Sequence, residues 1–402
     1  MSRPIQVTVG RRRADFLGHD HLALQAAVDY VARLGGGTVR LLPGTYEMGN
    51  SLFLSDHVQL VGAGEDTILR KCPSGVTKLV DDTDWYDTTV KVKNPGIFRV
   101  GGGLLLRGKS PHFEKQQFVK RTVTAIEGNV IHLNRDPREN FWTDCGAEAA
   151  TLFPVVTGDT VNDLVIESLT IDGNRAENEH LDGNYGGGIF LQDCDRVLIR
   201  NVTTRDNNGD GISWQVCDEV TVEGCRSLNN ADLGLHPGSG SQRPVVRANT
   251  IVGANIGFFF CWGVKHGIVE DNVIEDSRTT GISIGHRDTD NLVGNNIVRR
   301  SGQQGVLFRE HPVARRDPHR NVFEGNLIEN SGTTGDCVAI EVLGTAEGVT
   351  LRGNRIVDTR RRSARRRRIG LRLGASIKRL KTQGNEFVGM DEETVDLRAA
   401  MG

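Results

Sequence analysis

The stretch Gly188-Ile-Phe-Leu-Gln-Asp193, a glycine followed by alternating apolar residues, returns as Gly211-Ile-Ser-Trp-Gln-Val216 and Gly234-Leu-His-Pro-Gly-Ser239. It comes again as Gly257-Phe-Phe-Phe-Cys-Trp262, Gly281-Ile-Ser-Ile-Gly-His286 and Gly305-Val-Leu-Phe-Arg-Glu310, in steps of 23, 23, 23, 24 and 24 residues. Looser copies follow at Cys337-Val-Ala-Ile-Glu-Val342 and Gly370-Leu-Arg-Leu373, after 32 and 33 residues. A second marker keeps pace: Cys225, Asn249, Asn272, Asn296, Asn326, Asn354 and Asn385 each close a short apolar strand. A fixed period of this length is the signature of a repeat architecture. Each repeat holds only strands of a few residues between Gly, Asn and Asp, too short for a helix pair. The pattern therefore predicts an all-β chain, a right-handed parallel β-helix with two or three strands per coil. Coils stacked ~4.8 Å apart place the Gly370 coil about 34 Å from the Gly188 coil. The asparagines are expected to stack at one corner, in left-handed backbone geometry.

Composition agrees. Glycine supplies 49 of 402 residues, aromatics 5% and apolar residues 37%, which is lean for one large spherical core. The 49 basic and 51 acidic side chains leave a net charge of −2, so no global field points to nucleic acid or an anionic membrane. No apolar run approaches the ~18 residues of a membrane span. The seven cysteines contain no Cys-x-x-Cys pair, which disfavours a zinc ribbon or thioredoxin-type site. The opening Met1-Ser-Arg-Pro-Ile-Gln-Val7 has no apolar signal core. Together with unpaired thiols this predicts a cytoplasmic location.

Ahead of the repeats, Asp20 is placed to cap a helix whose Leu24, Ala27, Val28, Val31 and Leu34 share one face. Gly35-Gly-Gly37 ends it before Thr38-Val-Arg-Leu-Leu-Pro-Gly-Thr-Tyr46. Such a helix can cover the open end of a β-helix, where strand edges would otherwise be exposed. The segment Asp15–Tyr46 resembles the start of the pectate-lyase-like superfamily. That resemblance implies the β-helix fold and a carbohydrate substrate.

Residues 1–70 are read as the cap helix and first coils, 71–155 as a small inserted β subdomain, and 156–402 as the main coils. Within the insert, Thr89-Val-Lys91, Gly103-Leu-Leu-Leu106 and Arg121–Ile126 alternate like antiparallel strands, with Gly128-Asn129 as a hairpin turn.

Period-two alternation then sorts the side chains. Ile189/Leu191, Ile212/Trp214, Leu235/Pro237, Phe258/Phe260, Ile282/Ile284, Val306/Phe308 and Val338/Ile340 are expected inside. Phe190/Gln192, Ser213/Gln215, His236/Gly238, Phe259/Cys261, Ser283/Gly285, Leu307/Arg309 and Ala339/Glu341 then face outward on one wall. Trp262, His286 and Glu310 follow at the corner. Exposed rings beside imidazoles, guanidinia and amides resemble a sugar groove. Tyr185 (from the loop after Asp172), Gln192, Gln215, Phe259, Trp262, His311 and Glu341 are the candidate substrate contacts. His236, Lys265, His286, Arg287, Asp288, Arg309 and Glu310 are the candidate catalytic groups.

Basic residues outnumber carboxylates on that wall, which favours a polysaccharide lyase or epimerase: a cation neutralises a uronate carboxylate while a base removes the adjacent proton. Glycoside hydrolysis by paired carboxylates among Asp210, Asp288, Glu310 and Glu341, with Asp182 and Glu179 from the loop, is the alternative. A non-catalytic carbohydrate-binding or structural solenoid is the third reading. No cofactor is required by any of these. The acidic run Asp81-Asp-Thr-Asp84 is the one place where Ca2+ is considered. Arg360-Arg-Arg-Ser-Ala-Arg-Arg-Arg-Arg368 reads as a charged surface loop. The expected partner is an oligo- or polysaccharide, with neither nucleic acid nor membrane.

Overall fold

The computed structural model describes residues 5–183 and 185–398. Its coils run through three parallel sheets in turn. In the Gly188 coil these are Ile189–Gln192 (sheet I), Asp195–Arg200 (sheet II) and Thr203–Arg205 (sheet III), and the next coil re-enters sheet I at Ile212–Gln215. Sheets I and III each hold 11 strands and sheet II holds 13. In-register pairing of Ile189 with Ile212 and Ile212 with Leu235 confirms the 23-residue step.

The repeating glycine answers to close approach, not to backbone dihedral. A Cβ on Gly188, Gly211, Gly234, Gly257, Gly281 or Gly305 would lie 2.5–2.8 Å from the carbonyl oxygen of the neighbouring coil, closer than real carbon–oxygen contacts allow. The residue facing Gly305 is Ala339, because Val306 pairs with Ile340. The copy placed at Cys337 is thus two residues early, while the inside/outside parity of the strand survives. The predicted inward residues are all buried, and all but Pro237 and Val338 belong to one continuous core. Each fully buried Ile, Leu or Phe contributes about 1.5–3 kcal/mol relative to exposure.

The asparagines stack as expected. Asn249 Nδ2 donates to Asn272 Oδ1 and Asn272 Nδ2 to Asn296 Oδ1, both at 2.9 Å, and the chain continues through Asn326 and Asn354 to Asn385. The left-handed residue, however, is the one before each asparagine: Ala248, Asp271, Asn295, Gly325, Gly353 and Gly384 all have positive φ. The turn bends there, and the asparagine that follows points inward to close it.

Asp20 caps the helix His21–Arg33 by accepting from the Leu22 and Ala23 amides at 3.1 Å, and Leu24, Ala27, Val28 and Val31 are buried beneath it. Leu34 instead sits exposed at the helix end. Between the strands Thr67–Lys71 and Val156–Asp159 the chain leaves the solenoid and builds six antiparallel strands. The edges of that sheet meet where Leu79 bridges Val92, and Val80 N–H donates to the Lys91 carbonyl at 2.9 Å. It therefore closes around its own core of Val90, Leu104, Leu106, Val123, Ile131 and Phe141. The solenoid continues across the excursion without a gap, since Val156 pairs with Leu52.

The arginine run is not a free loop. Arg366–Leu373 is a strand of sheet I, Arg368 is buried against Asp391 (Nη2–Oδ1 2.6 Å), and Arg360 and Arg367 pair with Asp358 and Glu392. In the acidic run, Asp81 pairs with Lys91, Asp82 accepts from Thr143 and Asp84 from the Trp142 indole. No cluster of three or more His, Cys, Asp or Glu suited to a metal ion occurs among the described residues. None of the described helices is long and apolar enough to cross a membrane.

Candidate active site on the outer wall of sheet I

The outward row of sheet I runs Thr157, Phe190, Ser213 and His236, and further on Phe259, Ser283, Leu307, Glu341 and Arg372. This is the predicted row, with one change: Glu341 stands beside Leu307, not beside Arg309. Arg309 and Glu341 therefore form no ion pair with each other. Glu341 instead accepts from Gln304 Nε2 at 2.7 Å and Arg372 Nη1 at 3.2 Å.

Outward does not mean exposed here. Phe190, Ser213, His236, Ser283 and Glu341 are all buried. Two features cover them. Gly183 and Gly186 lie on Ser213, whose hydroxyl is 3.3 Å from the Gly183 carbonyl oxygen, and Gly183 packs directly on the Asp210 carboxyl group. Arg309 folds back along the wall, its guanidinium 4.2 Å from the Phe259 ring centroid. Its Nη1 donates to Ser283 Oγ at 2.5 Å and its Nη2 to the Phe260 carbonyl at 2.7 Å. Gly285 makes room for it, because a Cβ there would lie 2.9 Å from Arg309 Nε.

His236 and Asp210 form a buried pair at the centre of this wall. His236 Nδ1 is 2.8 Å from Asp210 Oδ2, and Asp210 Oδ1 accepts from the Leu233 amide at 3.0 Å. A carboxylate at Nδ1 makes that nitrogen the donor and turns the Nε2 lone pair outward. Burial pushes the Asp210 carboxyl up, against the His236 hydrogen bond that holds it down. The imidazole packs edge-on against Phe259, with centroids 5.4 Å apart.

The wall and its corner carry unsatisfied polar atoms on ionisable side chains. His236 Nε2, Arg309 Nε and His286 Nδ1 are buried and have no hydrogen-bond partner among the described residues. Buried polar atoms are satisfied in the great majority of cases, so orphans on one face within four successive coils call for a functional explanation.

The corner holds a second group. Trp262 is 57% exposed and meets His286 edge-on at 4.9 Å, and His286 meets His311 at 5.2 Å. Trp262, His286 and Arg287 all have positive φ, a strained state for such side chains. Burial, with Arg309 and His311 close by, holds the His286 imidazole below its usual range.

Several predicted groups lie elsewhere or are otherwise engaged. Asp288 is buried under the corner, accepting from the amides of Gly263, Val264 and Gly285 at 2.9 Å each; burial lifts it to about 6. It is a turn-forming group. Lys265 pairs with Gln242 and Thr289 at the entrance to sheet II, past the corner. Arg287 and Glu310 are exposed at the corner. Burial drives the Cys261 thiol up to about 12, which leaves it unreactive. Gln215 is buried on the wall. Tyr185, Phe190 and Gln192 line a separate cleft of about 620 Å3 against the antiparallel sheet.

Sequence reasoning missed two partners. Asp210 was weighed only as one of a carboxylate pair, although its place one residue before Gly211 sets it against the next coil's strand. Lys120, which lines the same cleft, lies in the insert that was read as scaffold. The alternation Gln117/Val119 in and Phe118/Lys120 out was the available signal.

The family model for the right handed beta helix region matches residues 156–268 and 187–356. The chain belongs to that family. No curated protein matches this β-helix. Among solved structures it is similar to the A-module of mannuronan C-5 epimerase AlgE6 of Azotobacter vinelandii (TM-score 0.54, 17% identity, 93% of this chain and 91% of that one). The AlgE4 A-module of the same organism gives TM-score 0.56 and 15% identity over 93% of each chain. A glycoside hydrolase gives 0.53 and 10% over 97% and 96%. At such identities the likeness shows the fold.

Proposed function

We propose that this β-helix acts on a uronate-containing polysaccharide by removing the C5 proton of a uronic acid unit, the shared first step of polysaccharide lyases and C5 epimerases. The observation that carries the reading is the buried Asp210–His236 pair with its unpartnered Nε2, beside the guanidinium of Arg309, which reaches back from three coils on to the adjacent Phe259 coil and has an unpartnered Nε. Asp210 holds the imidazole in one tautomer, and Nε2 is the base. Arg309 neutralises the sugar carboxylate, so that the electron pair left at C5 is delocalised into it. Elimination follows if that pair forms the C4–C5 double bond and the C4–O4 bond breaks with proton transfer to the leaving oxygen. Epimerisation follows if a proton returns to the opposite face. Because the Arg309–Phe259 stack closes the wall, substrate has to draw the guanidinium away from the ring. Trp262 and His286 then form a rim for the neighbouring sugar.

Hydrolysis needs two carboxyl groups free to act across one bond. Asp210, Asp288 and Glu341 are each held by other groups, which leaves Glu310 alone of the four candidates on the wall and its corner. The similarity to mannuronan epimerase modules and to a glycoside hydrolase agrees with a carbohydrate substrate. Incubation with polygalacturonate and with alginate tests the reading. Ultraviolet absorbance from an unsaturated sugar, or inverted C5 configuration by NMR, is the expected result. New reducing ends with neither change would overturn it.

A further inference from the structure

A cation stands where the wall meets the antiparallel sheet. Lys120 projects from the outer face of the strand Gln116–Glu127, and its Nζ lies 4.3 Å from the Phe190 ring centroid while donating to the Tyr185 carbonyl at 2.8 Å. The Tyr185 ring packs on Phe118 at 4.4 Å. No carboxylate comes within ion-pair distance of Lys120 among the described residues; Asp159 acts on it only at longer range. Burial brings the ammonium down to about 8.

Arg135 lines the same cleft, exposed and with no ion pair among the described residues. The other charged groups facing the cleft are Arg121, Arg138, Glu139 and Asp159. Arg121 is occupied by the backbone carbonyls of Lys120, Arg135, Asp136 and Pro137, and Arg138 pairs with Asp136. The cleft therefore offers, beside ring faces, two cations that form no ion pair among the described residues, with Glu139 and Asp159 as its carboxylates. A half-buried ammonium over an aromatic ring is stabilised by an incoming anion, and ring faces pack on pyranoses.

We propose that this cleft binds one carboxylated sugar unit, with its carboxylate on Lys120 and Arg135 and its ring against the Tyr185 side of the cleft. Phe190 and His236 are two coil steps apart on the same outward row, roughly 10 Å, about the length of a disaccharide. One acidic chain can thus occupy the cleft and the wall together. The assignment of the polymer rests on the reading of His236 as a uronate base; the carboxylate site itself does not.

The test is titration calorimetry with tetragalacturonate and tetramannuronate, and with neutral cellotetraose as control. The full chain carrying His236→Gln is used, so that binding is read without turnover. Acidic tetramers are expected to bind more tightly than the neutral one, and Lys120→Met to weaken them about tenfold or more, as loss of a charged hydrogen bond would. Raising the pH from about 6.5 to about 9 should weaken binding as the ammonium loses its proton. Lys120→Arg should keep the affinity and abolish that pH dependence, and Arg135→Ala offers a second reading should Lys120→Met fail to fold. Equal affinity for neutral and acidic tetramers, no binding of either acidic tetramer, or an unchanged constant in folded Lys120→Met would overturn the proposal. Lys120-dependent binding without C5 chemistry in the wild type would leave the cleft standing and remove the His236 reading. C5 chemistry indifferent to Lys120 would do the reverse.

Discussion

At the scale of single residues, the wall is a case of side chains defined by what they lack. His236→Gln keeps an amide where the imidazole was but cannot take a proton, so turnover should fall by about 10²–10⁴-fold. Asp210→Asn keeps the shape and removes the charge that fixes the tautomer, and should lower kcat more than it alters KM. A kcat left at the wild-type level in either folded variant would remove that residue from the mechanism. Gly285→Ala places a methyl carbon against Arg309. It should displace the guanidinium from Phe259 and cut activity with little change in unfolding midpoint, measured by circular dichroism. Parity along each strand made His236, Phe259, Arg309 and Glu341 legible as one outward row. The burial of His236 was not legible, because the covering groups, a loop and a folded-back arginine, obey no period.

At the scale of elements, the corners hold the coils in register. Asn272 Nδ2 donates to the Val246 carbonyl at 3.0 Å and to Asn296, while its Oδ1 accepts from both the Asn249 amide and its side chain. Asn272→Ala strands several buried groups at once, and a loss of about 3 kcal/mol or more is expected in denaturant unfolding, at 1–3 kcal/mol per unsatisfied group. Asp288 gives a pH signature. Its folded value of about 6 stands above the usual 3.8, so its protonation favours the native state below 3.8 and that stabilisation is lost as pH rises through 6. The difference amounts to roughly 3 kcal/mol at 1.36 per unit. Asp288→Asn cannot ionise and should lack this particular slope; identical pH profiles would contradict the account. The sequence pattern announced the asparagine ladder but misplaced its left-handed residue, since Ala248, Asp271 and Asn295 share no side-chain type that would mark the bend.

At the scale of the molecule, near-neutral charge hides an ordered arrangement. Arg196 with Asp163, Arg247 with Glu223, Arg300 with Asp276 and Arg320 with Asp290 each link one coil to the next. Such exposed pairs are worth 0–1 kcal/mol each. Arg300→Ala should therefore move the unfolding free energy by less than about 1 kcal/mol, whereas a shift like that of Asn272→Ala would show that the pairs, not the buried corners, hold the coils. The 23-residue step made the solenoid legible because stacking enforces it at every coil. The fate of the arginine run was hidden, because the counter-ions of Arg368 and Arg367, Asp391 and Glu392, come from the next coil and become neighbours only after folding. The central claim, that a base on this wall removes a proton from C5, is tested most directly by incubating polygalacturonate or alginate with the protein in D2O and reading deuterium at C5 by NMR. Deuterium at C5 of the polymer, or its counterpart in an unsaturated product formed with loss of the C5 proton, is predicted for the wild type and neither for His236→Gln; chain cleavage with every C5 proton retained would contradict it.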